Sequence, residues 1–284
     1  RPLFFRPRLR AYCSAMASRT DFDNAVVWIT GASSGIGREL AVQLSAQGAR
    51  TVLTARREDA LRETRELCGG DGRSVIVPGD LSDLDAIDAL ADSAEAAFGH
   101  LDMLILNAGI SQRGLAVETE PAVVHSVNTV NFLAPVHIIR RVVPRMMERG
   151  SGRVVAVSSL STRVPTPQRS AYTASKAALE TYLTVLRREL MESGVGVTVA
   201  LPGFVRTEIS LNALNADGST HGTLDPAQEK GMSAEVCARR IISGIARGRR
   251  EILIPTDLRT RVGLILQRRA PGLLDRLMAK AEVT

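Results

Sequence analysis

A short apolar run over residues 25–30 breaks at once into Gly31-Ala-Ser-Ser-Gly35-Ile-Gly37, and an amphipathic pattern through Leu40, Ala41 and Leu44 follows. That order reads as strand, glycine turn and helix, the unit from which α/β proteins are built. Glycines let the backbone take tight positive-φ turns and approach a ligand closely, while the helix N-terminus offers unpaired N–H groups and positive dipole character. A pyrophosphate suits such a cradle. The spacing is G-x-x-x-G-x-G rather than G-x-G-x-x-G, so the mechanics of dinucleotide binding carry over while the commoner fingerprint does not. A glycine loop alone can be only a turn; its position between a first strand and a first helix is what points to a ligand held by Gly31, Ser33, Ser34, Gly35, Ile36 and Gly37.

Downstream, about seven short apolar segments alternate with longer amphipathic ones, with no internal repeat or low-complexity linker between them. The pattern predicts a single-domain, Rossmann-like, doubly wound parallel sheet of about seven strands flanked by helices, over residues 21–256. Strands are expected over 50–55, 102–106, 195–201 and 251–255. The first of these, the chain's second strand, ends in Ala55 and runs into Arg56 and Arg57, where an NAD enzyme would carry a carboxylate for the ribose hydroxyl. Guanidinium groups fork onto phosphate oxygens, so the sequence favours a 2′-phosphate and hence NADP(H). The plainer reading is that these arginines start a solvated helix over 56–67, and it weighs more on Arg57 than on Arg56. Asp80-Leu81 follows the third strand and Asn107-Ala108-Gly109 the fourth, both at carboxyl ends, the edge where open α/β sheets bind ligands.

Tyr172 and Lys176 stand four residues apart, and Ser159 precedes the tyrosine by thirteen. Residues at i and i+4 share a helix face, so an ammonium can sit beside the phenol and favour its ionised form. An unperturbed phenol, with a pKa of about 10, is poorly matched to proton transfer near neutrality, which gives the pairing chemical sense. In isolation the same spacing is a packed ring beside a solvated amine.

Taken in order, the glycine turn, Asp80, Asn107-Ala-Gly, Asn131, Ser159 and Tyr-x-x-x-Lys resemble the short-chain dehydrogenase/reductase family over roughly residues 24–255. The resemblance implies that Ser159 polarises a substrate oxygen, that Tyr172 exchanges a proton with it, and that Lys176 supports Tyr172 and bonds the nicotinamide ribose. The family spacing selects Ser159 over Ser158. Of Asn128 and Asn131, the context Asn-Phe-Leu-Ala-Pro selects Asn131 for the family's fourth catalytic position, with Ala134 where glycine is usual; its implied role is to hold a water linking Lys176 to a proton relay. Pro202, Gly203, Val205 and Thr207 are implied around the nicotinamide amide. The sequence is most similar to the branch holding 11β-hydroxysteroid dehydrogenase type 1 and the dehydrogenase/reductase member seven proteins, which implies a lipophilic carbonyl or alcohol substrate such as a steroid, retinoid or lipid. Homodimers or homotetramers, through helices near 120–149 and 170–193, are implied in the same way.

The net charge of +6 first suggests nucleic acid. Yet residues 1–20 carry Arg1, Arg6, Arg8, Arg10 and Arg19 without an acid, leaving 31 basic against 30 acidic residues in the body. With few aromatics and no basic stripe, no nucleic-acid partner is expected. The first twenty residues read either as an organellar transit peptide, for a mitochondrion or plastid, or as a disordered tail with Met16 as the true start. No run of apolar residues long enough to span a bilayer is expected. Cys13, Cys68 and Cys237 are scattered and odd in number, which suggests a reducing, intracellular compartment, cytoplasmic or organellar. His100, His125, His137 and His221 are equally scattered, so neither a metal site nor a Ser-His-Asp triad is expected.

Residues 203–232 lack a stable period, as a mobile substrate lid would, with Phe204, Val205, Ile209, Leu211 and Leu214 as an apolar wall. In the tail over 257–284, apolar clusters alternate with arginines. It reads as a helix packed on the body or a second subunit, or as one making peripheral membrane contact. The reading that competes with an enzyme is a non-catalytic nucleotide sensor or scaffold that kept the fold; a dehydratase or epimerase would need a sugar-nucleotide domain that the chain does not show.

Overall fold

The computed structural model describes residues 22–280. The expectations for residues 1–20, Met16 and Cys13 lie outside them.

Strand β1 (Val26–Thr30) is buried along its whole length. Its alternating side chains feed two cores: Val26 and Trp28 face one, Val27 and Ile29 the other. That is the signature of a parallel strand covered on both faces. After it come α1 (Gly35–Ser45), β2 (Arg50–Thr54), α2 (Glu58–Leu67), β3 (Ser74–Ile76), α3 (Ile87–Ala96) and β4 (Met103–Leu106). The chain continues through α4 (Pro121–Asn128), a π-helical turn (Thr129–Leu133), α5 (Ala134–Glu148), β5 (Gly152–Val157), α6 (Ser170–Glu189) and β6 (Val195–Pro202). A small parallel ribbon of β7 (Val205–Arg206) and β8 (Met232–Ser233) brackets the short helix α7 (Pro226–Glu229). Last are α8 (Ala234–Ala246), β9 (Glu251–Ile254), α9 (Leu258–Arg269) and α10 (Pro271–Lys280).

Seven strands form one sheet in the order β3-β2-β1-β4-β5-β6-β9, every pair parallel. Each strand edge expected from the sequence lies within one residue of the observed one. Helices α3, α5 and α6 cover one face through Leu90, Ile138, Val142, Leu179 and Leu183. On the other face, α1, α2 and α8 pack Leu40, Leu44, Leu61 and Ile241. Burying each such side chain contributes roughly 1.5–3 kcal/mol before chain entropy is set against it. The one indole in this core is satisfied, since Trp28 Nε1 donates to Thr54 Oγ1 at 2.9 Å. Winding reverses between β1 and β4, and the split opens a crevice at the carboxyl ends of those strands.

Two expectations change. Arg56 and Arg57 precede α2 instead of starting it, with Arg57 extended at the N-cap position. The continuous helical run Pro121–Glu148, 28 residues, is long and apolar enough to cross a membrane by length and composition, which the sequence reading did not anticipate. Its apolar content has another destination here: Ile138, Ile139, Val142 and Val143 are in the core.

Candidate active site

The glycine turn forms because only residues without a Cβ fit it. Gly31 has φ of 68°, and a Cβ there would lie 2.8 Å from Ala108 Cα; one on Gly37 would lie 2.1 Å from the Gly31 carbonyl oxygen. Asn107 staples the turn to the end of β4, its Nδ2 donating to the carbonyls of Thr30 and Gly31, each at 3.1 Å. Thr30 Oγ1 in turn accepts the amides of Asn107 and Ala108 at 3.1 and 3.2 Å. The N-terminus of α1 is thereby aimed into the crevice, with no side-chain cap on Ser34.

The crevice is a cavity of about 970 Å³. Gly31, Ser33, Ser34, Gly35 and Ile36 line one end together with Arg56, Arg57, Asp80 and Leu81. Asn107, Ala108 and Gly109 line its middle, and Ser159, Tyr172, Lys176, Pro202, Gly203, Val205 and Thr207 its far end. Of the residues expected from sequence, Gly37 and Asn131 do not reach the cavity: both act from behind it. Arg57 is ion-paired across the mouth with Glu208 at 3.3 Å, a residue sequence reasoning passed over.

The two neighbouring serines are sorted by what they touch. Ser158 is buried and donates to Glu180 Oε1 at 2.6 Å. Ser159, at the end of β5, faces the cavity and is hydrogen bonded to the Tyr172 phenol. Burial pushes that phenol above its ordinary pKa, while the Ser159 bond and the Arg169 and Arg113 guanidiniums pull it down. Lys176, the cation that the sequence reading set beside the phenol, lines the same cavity. Lys176 Nζ donates to the Val157 carbonyl at 3.0 Å, so the long side chain ties α6 to the end of β5. Burial draws the ammonium down to about 8, opposed by the Glu180 carboxylate one turn further along α6.

Asn131 sits in the π-helical turn, where one extra residue per turn rotates it inward. Its Oδ1 accepts the Ile110 amide and its Nδ2 donates to the Ile110 carbonyl, both at 2.9 Å, and Nδ2 also reaches Ser175 Oγ at 3.0 Å. Asn128 instead turns back onto the Val124 carbonyl at 2.8 Å. Gly109 lies between Asn131 and Lys176: a Cβ there would meet Asn131 Oδ1 at 3.0 Å and Lys176 Nζ at 3.1 Å. The missing methyl lets the two polar groups converge.

Of the expected apolar wall, Val205, Ile209 and Leu214 line the cavity. Leu211 does not, and Phe204 is turned away beneath the Arg169 guanidinium, 5.5 Å from its ring centroid. The segment 203–232 is also tied down rather than loose. Leu214 exchanges backbone hydrogen bonds with Ser111 and Arg113 at 2.9 and 2.7 Å, and a buried cluster of Arg113, Arg169 and Asp225 joins the same segments. None of these three was singled out in the sequence, where they are far apart and follow no motif. Among the described residues, no group of three or more His, Cys, Asp or Glu could hold a metal.

Comparison with known proteins follows the same lines. The family model described as short chain dehydrogenase matches residues 25–217. Dehydrogenase/reductase SDR family member 7B of Mus musculus is 39% identical over 267 residues, 92% of this chain and 82% of that protein. The Drosophila melanogaster SDR family protein 7-like is 35% identical, across 95% of this chain and 84% of its own. Among solved structures, a Burkholderia phymatum short chain dehydrogenase/reductase in complex with NAD superposes with a TM-score of 0.77 at 26% identity, covering 93% of this chain and 98% of that one. A Sphingobium yanoikuyae short-chain dehydrogenase in complex with NADPH gives 0.71 at 28% identity, covering 91% and 96%.

Proposed function

The chain belongs to the short chain dehydrogenase family of oxidoreductases, and from that membership we propose that it interconverts a lipophilic carbonyl and its secondary alcohol with NADP(H). The observation that carries this reading is a single cavity with a glycine cradle at one end and Ser159, Tyr172 and Lys176 at the other. A nicotinamide dinucleotide fits the donor set: the methyl-free turn and open α1 N-terminus suit a pyrophosphate, and Pro202, Gly203, Val205 and Thr207 border the opposite end. Arg56 and Arg57, with no carboxylate at the end of β2, support the 2′-phosphorylated form.

When bound, the cofactor supplies or accepts a hydride at the carbonyl carbon. The residues of this chain handle the oxygen. In reduction, charge builds on the carbonyl oxygen, the Ser159 hydroxyl donates a hydrogen bond to it, and the Tyr172 phenol gives up its proton to form the alcohol. Oxidation runs the same groups backward, with ionised Tyr172 taking the hydroxyl proton. Asn131 and Lys176 stand behind the phenol, and Ile110, Val130, Ile209 and Leu214 give the substrate end apolar walls, which supports a lipophilic guest.

Two contacts extend the reading. The helices α4 to α6 expose Val124, Met147 and Val185, and the turn after α6 exposes Met191, which supports a homo-oligomer. The α9–α10 pair packs Leu264 and Leu274 inward and exposes Leu258, Val262, Ile265, Leu273 and Leu277, which supports a subunit or peripheral membrane contact. The main test is turnover of a carbonyl panel with NADPH and with NADH, run beside Tyr172→Phe. Retained NADPH binding with turnover lost about a hundredfold or more is the expected result. Unchanged turnover in that variant, or no nucleotide bound by the native chain, would sink the reading.

A further inference from the structure

Two arginines and one aspartate from three distant parts of the chain meet in the interior beside the substrate end of the cavity. Arg113 comes from the loop after β4, Arg169 from the residue before α6, and Asp225 from the residue before α7. Arg113 Nη2 reaches Asp225 Oδ2 at 2.5 Å, its Nε reaches Oδ1 and Oδ2 at 3.3 and 3.2 Å, and Arg169 Nη2 reaches Oδ2 at 2.7 Å. All three side chains are at least nine-tenths buried. Arg113 Nη1 is further engaged by Ser111 Oγ and the Gln112 carbonyl, at 2.7 and 2.8 Å.

A buried ion cluster is costly unless its geometry is good, and removing one member leaves an uncompensated charge. This one is also unbalanced, since two guanidiniums share one carboxylate. The imbalance lies three residues before Tyr172.

We propose that Arg113, Asp225 and Arg169 are positioning residues for the proposed reaction, forming a charged latch that holds the segment 203–232 over the substrate end of the cavity and orients Tyr172. The inference rests on the oxidoreductase reading for its purpose and on the cluster alone for its geometry. Asp225 sits in the segment that carries the cavity residues Ile209, Leu214, Thr220 and Gln228. Its two partners sit on the fixed body, and the Arg169 carbonyl accepts the Thr173 amide in the first turn of α6 at 2.9 Å. The charged groups around Tyr172 are Lys176, Glu180 and Arg169 from α6 and its cap, Arg113 from the β4 loop, and Asp225 with His221, 3.7 Å from it, from the returning segment. Arg169 and Arg113 both favour the ionised phenol.

The signs give the test. Asp225→Asn adds one net positive charge to the cluster, Arg169→Gln removes one, and the double variant restores the native sum without the latch. In the full chain labelled with 13C-tyrosine, the Tyr172 phenol, assigned through Tyr172→Phe, is titrated by NMR. The phenol pKa is expected to fall in Asp225→Asn, rise in Arg169→Gln and return towards the native value in the double variant. Limited proteolysis of the exposed residues 217–220 and 222–224 reads the latch itself, and cleavage is expected to be about tenfold or more faster in all three variants. Shifts of one sign in both single variants, or none, overturn the electrostatic half; native cleavage rates overturn the latch. If Asp225→Asn does not fold, Arg169→Gln and the double variant still decide both halves. Neither readout requires turnover, so loss of the oxidoreductase reading would show separately, as a native chain that binds no NADPH.

Discussion

Asn131 holds both backbone groups of Ile110, accepting its amide and donating to its carbonyl, each at 2.9 Å. One side chain therefore replaces the ladder partner that Ile110, just past the end of β4, no longer has. Asn131→Ala leaves a partly buried amide and carbonyl unpaired and is expected to cost about 1–3 kcal/mol of stability, read from urea unfolding. A cost below about half a kcal/mol would show that water replaces the side chain without penalty.

Gly37 tests the cradle from behind. A methyl at that position would lie 2.1 Å from the Gly31 carbonyl oxygen, and the atom it meets is backbone, which cannot turn away. Gly37→Ala is expected to push the turn off β1 and weaken NADPH binding by about tenfold or more, measured by nucleotide fluorescence, with a lowered Tm. Native affinity in that variant would mean that the turn has slack.

Arg56 and Arg57 are distinguishable. Arg57 already has a carboxylate partner in Glu208, whereas Arg56 is the expected main contact for a 2′-phosphate. Arg56→Ala is expected to raise KM for NADPH about tenfold while leaving KM for NADH within about twofold. Equal effects on both cofactors would remove Arg56 from the discrimination.

Lys176 links stability to pH. Its folded-state pKa of about 8 lies below the ordinary value of 10.5, so between those values the unfolded chain holds more protons at this site than the folded one. Stability therefore rises with pH through that window, by an amount on the order of 3 kcal/mol for this group. Urea unfolding of cofactor-free protein at pH 7.5 and 9.5 reads it, and the native slope should exceed that of Lys176→Met. Equal slopes would place the ammonium in a far wetter site.

Much of the molecule was legible in the chain because its strands are apolar on both faces and its first turn must be glycine. Strand edges fall within a residue of expectation, and the cofactor-side residues, Gly37 apart, line one cavity. What stayed hidden has physical reasons. The π-helical turn leaves no mark in a 3.6-residue period, so Asn131 was found by its neighbours Phe132 to Pro135 and not by its geometry. The bond from Lys176 to the Val157 carbonyl joins α6 to the end of β5, a tertiary contact that i to i+4 spacing does not report. Arg113, Arg169 and Asp225 are brought together by a segment with no periodicity, so no local pattern could mark them.

The parallel order of the sheet also bears on how the chain is made. Ile29 in β1 pairs with Ile105, and the Val26 amide is capped by Asp102 Oδ2 at 2.8 Å, both partners lying more than 70 residues downstream. A nascent chain that has emerged only as far as β3 therefore carries β1 with one hydrogen-bonding edge bare and with Val26 and Trp28 still without the helices α3, α5 and α6 that cover them. Such an edge is a template for wrong pairing. Only β4 closes that edge, so the nucleotide-binding half is open to wrong pairing for as long as synthesis from β3 to β4 takes.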